Sequence, residues 1–153
     1  MSIARAVATL GPIGFCLAPG TLATLATVPF IVARAFYLPM AVEYELLVLC
    51  VVSFCAWFII RQALTTFPYE TDPSAIVLDE VVGCAIAFFA VPINSKAVVL
   101  GVLLFRFFDI VKPYFIKKCE ELPGALGVLA DDVAAGAVTM IILQVFSYRG
   151  LLS

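Results

Sequence analysis

The chain contains no histidine. That absence excludes imidazole acid–base catalysis, histidine-ligated zinc and the histidine-dependent phosphatases. Charge is scarce as well: Asp, Glu, Lys and Arg make up 13% of 153 residues, where soluble proteins carry about 25%. No basic block is present and the net charge is only −2, which argues against a nucleic-acid partner. The five cysteines, Cys16, Cys50, Cys55, Cys84 and Cys119, are odd in number and scattered. They read as small core hydrophobes, not as a disulfide framework or metal cluster. A cleavable leader is not expected, because Gly11, Pro12, Gly14, Pro19 and Gly20 interrupt the first apolar stretch.

What the chain has in excess is apolar surface: 64% of residues are hydrophobic, and the mean hydropathy is +1.15. One small domain cannot bury that much against itself. The composition therefore predicts an integral membrane protein, with residues 1–153 forming a single domain. The expected fold is all-α, a compact membrane bundle of about five short hydrophobic helices at 21–38, 44–63, 75–91, 96–112 and 131–148. Residues 1–20 read as an irregular or amphipathic lead, with Thr21 as helix cap. Residues 64–74 read as a polar loop, and 113–130 as a mixed segment.

Five crossings would gather residues 1–20, 63–74 and 113–130 on one side. That side receives Arg5, Arg61, Arg106, Lys112, Lys117 and Lys118, against Arg34, Lys96 and Arg149 on the other. The bias makes it the cytoplasmic side. Every acidic group discussed next falls there.

Five of the eleven carboxylates sit at the ends of apolar runs: Asp79, Glu80, Asp109, Asp131 and Asp132. A carboxylate at bilayer centre costs about 2.5–3.5 kcal/mol on insertion scales, so such acids are functional candidates. The bland alternative is helix capping, since both acid pairs are expected to open helices. Against it, Asp79 precedes Gly83 and Asp132 precedes Gly136 by four positions. Each acid then lies one turn from a groove where another helix can approach closely. Arg106, Asp109 and Lys112 recur every third residue. They form either an intrahelical salt-bridge ladder or a mixed site, with Asp109 on a metal and Arg106 and Lys112 on phosphate oxygens.

Repelling acids held together call for a cation, and an all-oxygen donor set favours Mg²⁺, with Mn²⁺ as second choice. The expected metal ligands are Asp79, Glu80, Asp109, Asp131 and Asp132. Either an activated water or an Asp could serve as nucleophile toward phosphorus. Gly20 and Thr21, ending a Gly/Pro loop at a helix start, can offer backbone N–H groups to an anion. The stretch from Cys55 to Arg61 matches a Cys-x5-Arg phosphatase loop in form only, because an apolar helix would raise the thiol pKa.

Four stretches follow in order: Leu17-Ala-Pro-Gly-Thr21, Asp72-Pro-Ser-Ala-Ile-Val-Leu-Asp-Glu80-Val-Val-Gly83, Phe105-Arg-Phe-Phe-Asp109-Ile-Val-Lys112-Pro113 and Gly127-Val-Leu-Ala-Asp-Asp132-Val-Ala-Ala-Gly136. Together they resemble the phosphatidylglycerophosphatase A family over roughly residues 10–145. Ala23 and Thr24 stand where the family usually has a Gly-Ser pair, and Ala125 where it often has the second of two adjacent glycines. The resemblance implies a Mg²⁺-dependent lipid phosphatase of the bacterial inner membrane. Such an enzyme converts phosphatidylglycerophosphate to phosphatidylglycerol and phosphate, with its active site facing the cytoplasm. Carried onto this chain, the functional positions are Asp79, Glu80, Asp109, Lys112, Asp131 and Asp132. Two rivals are a divalent-cation transporter, whose site belongs near the bilayer midplane, and a non-catalytic membrane subunit whose acids only cap helices.

Overall fold

The computed structural model describes residues 2–67 and 73–152. Part of the expected 64–74 loop, with Asp72 of the second motif, lies outside the described residues. Among the described residues all regular secondary structure is helical: α1 (Ile3–Ala8), a 3-10 turn (Ile13–Phe15), α2 (Pro19–Tyr37), α3 (Val42–Leu64), α4 (Leu78–Ala87), α5 (Ser95–Val111), α6 (Tyr114–Glu120) and α7 (Ala125–Tyr148). The helices expected at 21–38, 44–63 and 96–112 are α2, α3 and α5, each within two residues at either end.

The other boundaries differ for physical reasons. Thr21 does not cap α2. The chain enters through Ala18 in the left-handed region (φ 56°), and Pro19 supplies the first turn with its preset φ. Helix α4 starts later than position 75 because the preceding backbone is already committed. Val77 N–H donates to the Ala8 carbonyl at 2.9 Å, and Ile76 N–H to Pro73 at 2.8 Å. It ends early where Ala90 turns left-handed, and Gln144 Nε2 donates to the freed Phe89 carbonyl at 3.2 Å. Helix α7 begins six residues before position 131, directly after Gly124, whose φ of 59° makes the turn. Asp131 and Asp132 are therefore interior to a helix and open nothing. The first turn of α7 carries no acid at all.

Helices α2, α3, α5 and α7 all pack on α4, so the shortest of the five main helices is the innermost. Three helices, α2, α3 and α7, are long and apolar enough to cross a membrane. At 17 and 10 residues, α5 and α4 are shorter. A ten-residue helix spans about 15 Å, half of an approximately 30 Å hydrocarbon core. The expected five crossings thus reduce to three helices of spanning length around a short central one. Phe54, Phe58, Leu103 and Ile141 point outward and stay exposed, a surface suited to lipid tails. All five cysteines are free, but only Cys84 belongs to the core. Cys16, Cys50 and Cys55 are exposed, so the core reading does not hold for them.

The α4–α7 contact determines where the acids meet. A Cβ on Gly136 would lie 2.3 Å from the Gly83 carbonyl oxygen, and one on Gly83 would lie 2.6 Å from that of Asp132. The two backbones touch because neither glycine has a side chain. At the other end of the bundle Arg34 Nη1 meets Glu45 Oε1 at 2.8 Å, joining α2 to α3. Glu45 is only 7% exposed. Replacing Glu45 with Ala strands a mostly buried cation and should cost about 2–3 kcal/mol. That is less than a fully enclosed pair would lose, because Arg34 keeps some water contact. Denaturation midpoints in detergent would measure the loss.

Candidate active site

One cavity of about 240 Å³ collects the chemistry. The first turn of α4 contributes Asp79 and Glu80, the end of α5 contributes Arg106, Asp109 and Lys112, and α7 contributes Asp131 and Asp132. Gly20, in the first turn of α2, closes one wall. All five carboxylates singled out from the sequence border this single space, although 53 positions separate Asp79 from Asp132. Thr21 does not line it.

The acids divide into two sets. Asp79, Glu80 and Asp132 each offer a carboxylate oxygen within 4.8 Å of the others. Asp109 and Asp131 are held by cations instead. Arg106 Nη1 donates to Asp109 Oδ2 at 2.5 Å, and Lys112 Nζ donates to Asp131 Oδ2 at 2.6 Å. Arg106 also approaches Glu80 Oε1 at 4.0 Å, so it bridges the two sets. Asp131 Oδ1 accepts from the Asp132 backbone N–H at 3.0 Å, which fixes the orientation of its carboxylate.

Lys112 reaches the cavity by an uncommon backbone. It ends α5 in the left-handed region, with φ 45° and ψ 68°. Pro113 follows and prevents the helix from continuing. Burial works to lower the Lys112 ammonium pKa. Its hydrogen bond and charge pairing with Asp131, supplemented by Glu120, nevertheless hold it above the ordinary lysine range. Burial also pushes the Glu80 carboxyl above the usual carboxylate range; a hydrogen bond from Asp79 opposes this and the charge of Asp109 adds to it. Cys84, one helical turn from the acids, is no rival nucleophile: burial raises its thiol to about 12.

The unpartnered atoms indicate what the site can hold. Glu80 Oε2 and Asp132 Oδ1 are buried acceptors without a hydrogen-bond partner, and Arg106 Nε is a buried donor without one. Buried polar groups are rarely left so. Acceptors of this kind suit a hard cation, whereas the donor suits an anion. A metal ion beside a phosphate would satisfy both. Gly20 leaves the necessary room, since a Cβ there would come within 2.1 Å of Glu80 Oε1 and 3.0 Å of Arg106 Nη1.

Two features of the site were not singled out from the sequence. Glu120 Oε2 lies 3.4 Å from Lys112 Nζ, a contact across the break at Pro113 where no helical spacing applies. Ser74, expected only to precede a helix, borders the cavity from a turn. The cluster sits at the start of α4 and the end of α5, with Asp131 and Asp132 about two turns into α7.

The phosphatidylglycerophosphatase A family model matches residues 6–147. A Bacteroides thetaiotaomicron protein named "Putative phosphatidylinositol-3-phosphatase" is 37% identical over 131 residues, covering 84% of this chain and 82% of its own. The Escherichia coli phosphatidylglycerophosphatase A is 30% identical over 143 residues, 90% of this chain and 80% of its own. The Haemophilus influenzae protein of the same name is 39% identical over 79 residues, half of this chain and 48% of its own. No solved structure matches the chain. The acid–base cavity and a family match running almost end to end make this chain a phosphatase, a member of the phosphatidylglycerophosphatase A family.

Proposed function

We propose that the protein is a Mg²⁺-dependent hydrolase of phosphatidylglycerophosphate, releasing phosphate and leaving phosphatidylglycerol. The observation that carries this reading is the buried triad of Asp79, Glu80 and Asp132 beside Arg106 and Lys112. The same reading places it in a bacterial inner membrane as a multi-pass protein whose site opens to the cytoplasm. The excess of Lys and Arg near that face supports the orientation.

Asp79, Glu80 and Asp132 would hold the ion, which Mn²⁺ could replace, with Asp109 and Asp131 as the adjoining carboxylates. Bound there, the metal would neutralise the crowded acids and polarise the phosphoryl group. Arg106 has a planar fork of donors for two phosphate oxygens, and its Nε is uncommitted. Lys112 adds a point charge. Asp109 and Asp131 pair with these two cations at the edge of the cavity. Gly20, at the start of α2, lets the phosphate approach a helix end where backbone N–H groups are free. In the hydrolysis, water oxygen bonds to phosphorus as the P–O bond to the lipid glycerol breaks. A proton passes to the departing alkoxide, so phosphatidylglycerol leaves as a neutral hydroxyl.

The name of the Bacteroides relative favours a second headgroup, a phosphoinositide, for the same phosphomonoester chemistry. A panel of phosphatidylglycerophosphate, phosphatidylinositol 3-phosphate and phosphatidic acid, each with and without EDTA, tests both readings. The expected result is phosphate release from phosphatidylglycerophosphate that EDTA abolishes and added Mg²⁺ restores. Preference for the inositol lipid would replace the headgroup assignment. Full activity in EDTA would remove the metal.

A further inference from the structure

Helices α2 and α3 are consecutive and both long and apolar enough to span a membrane, yet they scarcely touch one another; each packs on α4 instead. Between them lies an apolar cleft. The cleft, about 280 Å³, is bordered by Val48, Ala85 and Phe88; beside it an apolar hollow of about 400 Å³ lies between α2, α4 and the turn carrying Leu10 and Ile13. Thr27, Phe30 and Val81 line both, so cleft and hollow adjoin along α2 as a continuous furrow.

The furrow follows the stripe of α2 that also forms the site wall. Gly20, Thr27 and Arg34 recur every seventh residue and share a helix face. Gly20 borders the acid–base cavity, Thr27 borders the middle of the furrow, and Arg34 borders its far end. Fourteen residues of helix measure about 21 Å, against about 15 Å for the hydrocarbon of one leaflet. At the far end Arg34 and Glu45 neutralise each other across the short α2–α3 connection and shut the furrow. Its lining is carbon almost throughout, and its open side lies between two outward-facing apolar helices.

We infer that this furrow holds one acyl chain of the phospholipid substrate, running from the phosphate cavity toward the Arg34–Glu45 pair. The inference rests on the lipid-phosphatase reading and adds to it a determinant of chain length. The acyl chain lies between α2 and α3 on a floor of Val81, Ala85 and Phe88, and its headgroup sits at the start of α2 and α4. Substrate selection then has two parts, charge at the mouth and hydrocarbon length in the furrow.

Two measurements test it. Ala85→Trp fills the floor, and Val48→Trp fills the same space from α3 if the first variant does not fold. Either should lower the ratio of kcat/KM for long-chain over short-chain phosphatidylglycerophosphate about ten-fold, the loss of roughly two buried methylene groups. Leu103→Trp, on the exposed side of α5, should leave that ratio at the wild-type value. A wild-type ratio in both furrow variants overturns the inference. Separately, the unmodified protein is photolysed in vesicles containing a phospholipid with a diazirine near the end of one acyl chain. Labels concentrated on Phe30, Val48 or Phe88 support the furrow; labels spread over the outer faces of α3, α5 and α7, or links to a second copy through these residues, overturn it. Because labelling needs no turnover, it decides the furrow even if neither substrate is hydrolysed, a result that would defeat only the proposed activity.

Discussion

Asp132→Asn is expected to reduce turnover by about 10³-fold or more, the scale on which removal of a central charged group acts in phosphoryl transfer. The same change should make the metal-free protein more resistant to heat. Asp132 is 3% exposed, shares a 4.8 Å space with Asp79 and Glu80, and has a carboxylate oxygen with no hydrogen-bond partner. Removing one of three crowded, dehydrated charges relieves repulsion. A carboxylate kept for structure would behave in the opposite way, and its loss would lower the melting temperature. Mg²⁺ supplies a third measurement. An ion that binds only the folded state raises the wild-type melting temperature with concentration, and the variant should lose most of that rise. Thermal scans in detergent at several Mg²⁺ concentrations, alongside phosphate release, check all three. Undiminished activity, or a metal-free variant clearly less stable than wild type, would contradict the assignment.

Gly136→Ala should be nearly as damaging as Gly136→Val. The harm lies in the first carbon, because any Cβ at this position falls 2.3 Å from the Gly83 carbonyl oxygen. That oxygen belongs to helical backbone and cannot swing aside, so α4 and α7 must separate. Overpacking of this kind costs about 1–3 kcal/mol. The catalytic loss should be larger, about 10²-fold, since a shift near 1 Å at a positioned group is enough for that. Asp79 and Glu80 ride on α4 one turn from Gly83, and Asp132 lies one turn from Gly136, so separation pulls the triad apart directly. Comparing kcat with the melting temperature for both variants tests this. A kcat loss confined to Val, with Ala close to wild type, would show that the crossing has slack.

These glycines were legible in the sequence, because an acid and a glycine four apart share a helix face whatever surrounds them. The three-residue rhythm of Arg106, Asp109 and Lys112 was legible for the same reason, and the structure places all three on one cavity. Such inferences use local geometry, which a helix imposes on any sequence. Glu120 was not legible: it reaches Lys112 only after Pro113 has redirected the chain. Nor was the start of α7. Two adjacent aspartates look like a helix beginning, and only packing shows them as interior residues facing a polar cavity. The start of α2 misled in the same way. Threonine is the better capping residue, yet a left-handed Ala18 occupies the position, and tertiary contacts overrode propensity. Spanning length was hardest to judge from composition, because α4 is as apolar as its neighbours and differs from them in how the chain leaves it at Ala90.

The brevity of α4 bears on biogenesis. With ten residues it is too short to be inserted as an independent hydrophobic segment. It can settle only against partners already in place, and its most extensive partner is α7, which emerges from the ribosome some forty residues later. The site therefore cannot be complete until α7 has been made and Gly136 meets Gly83.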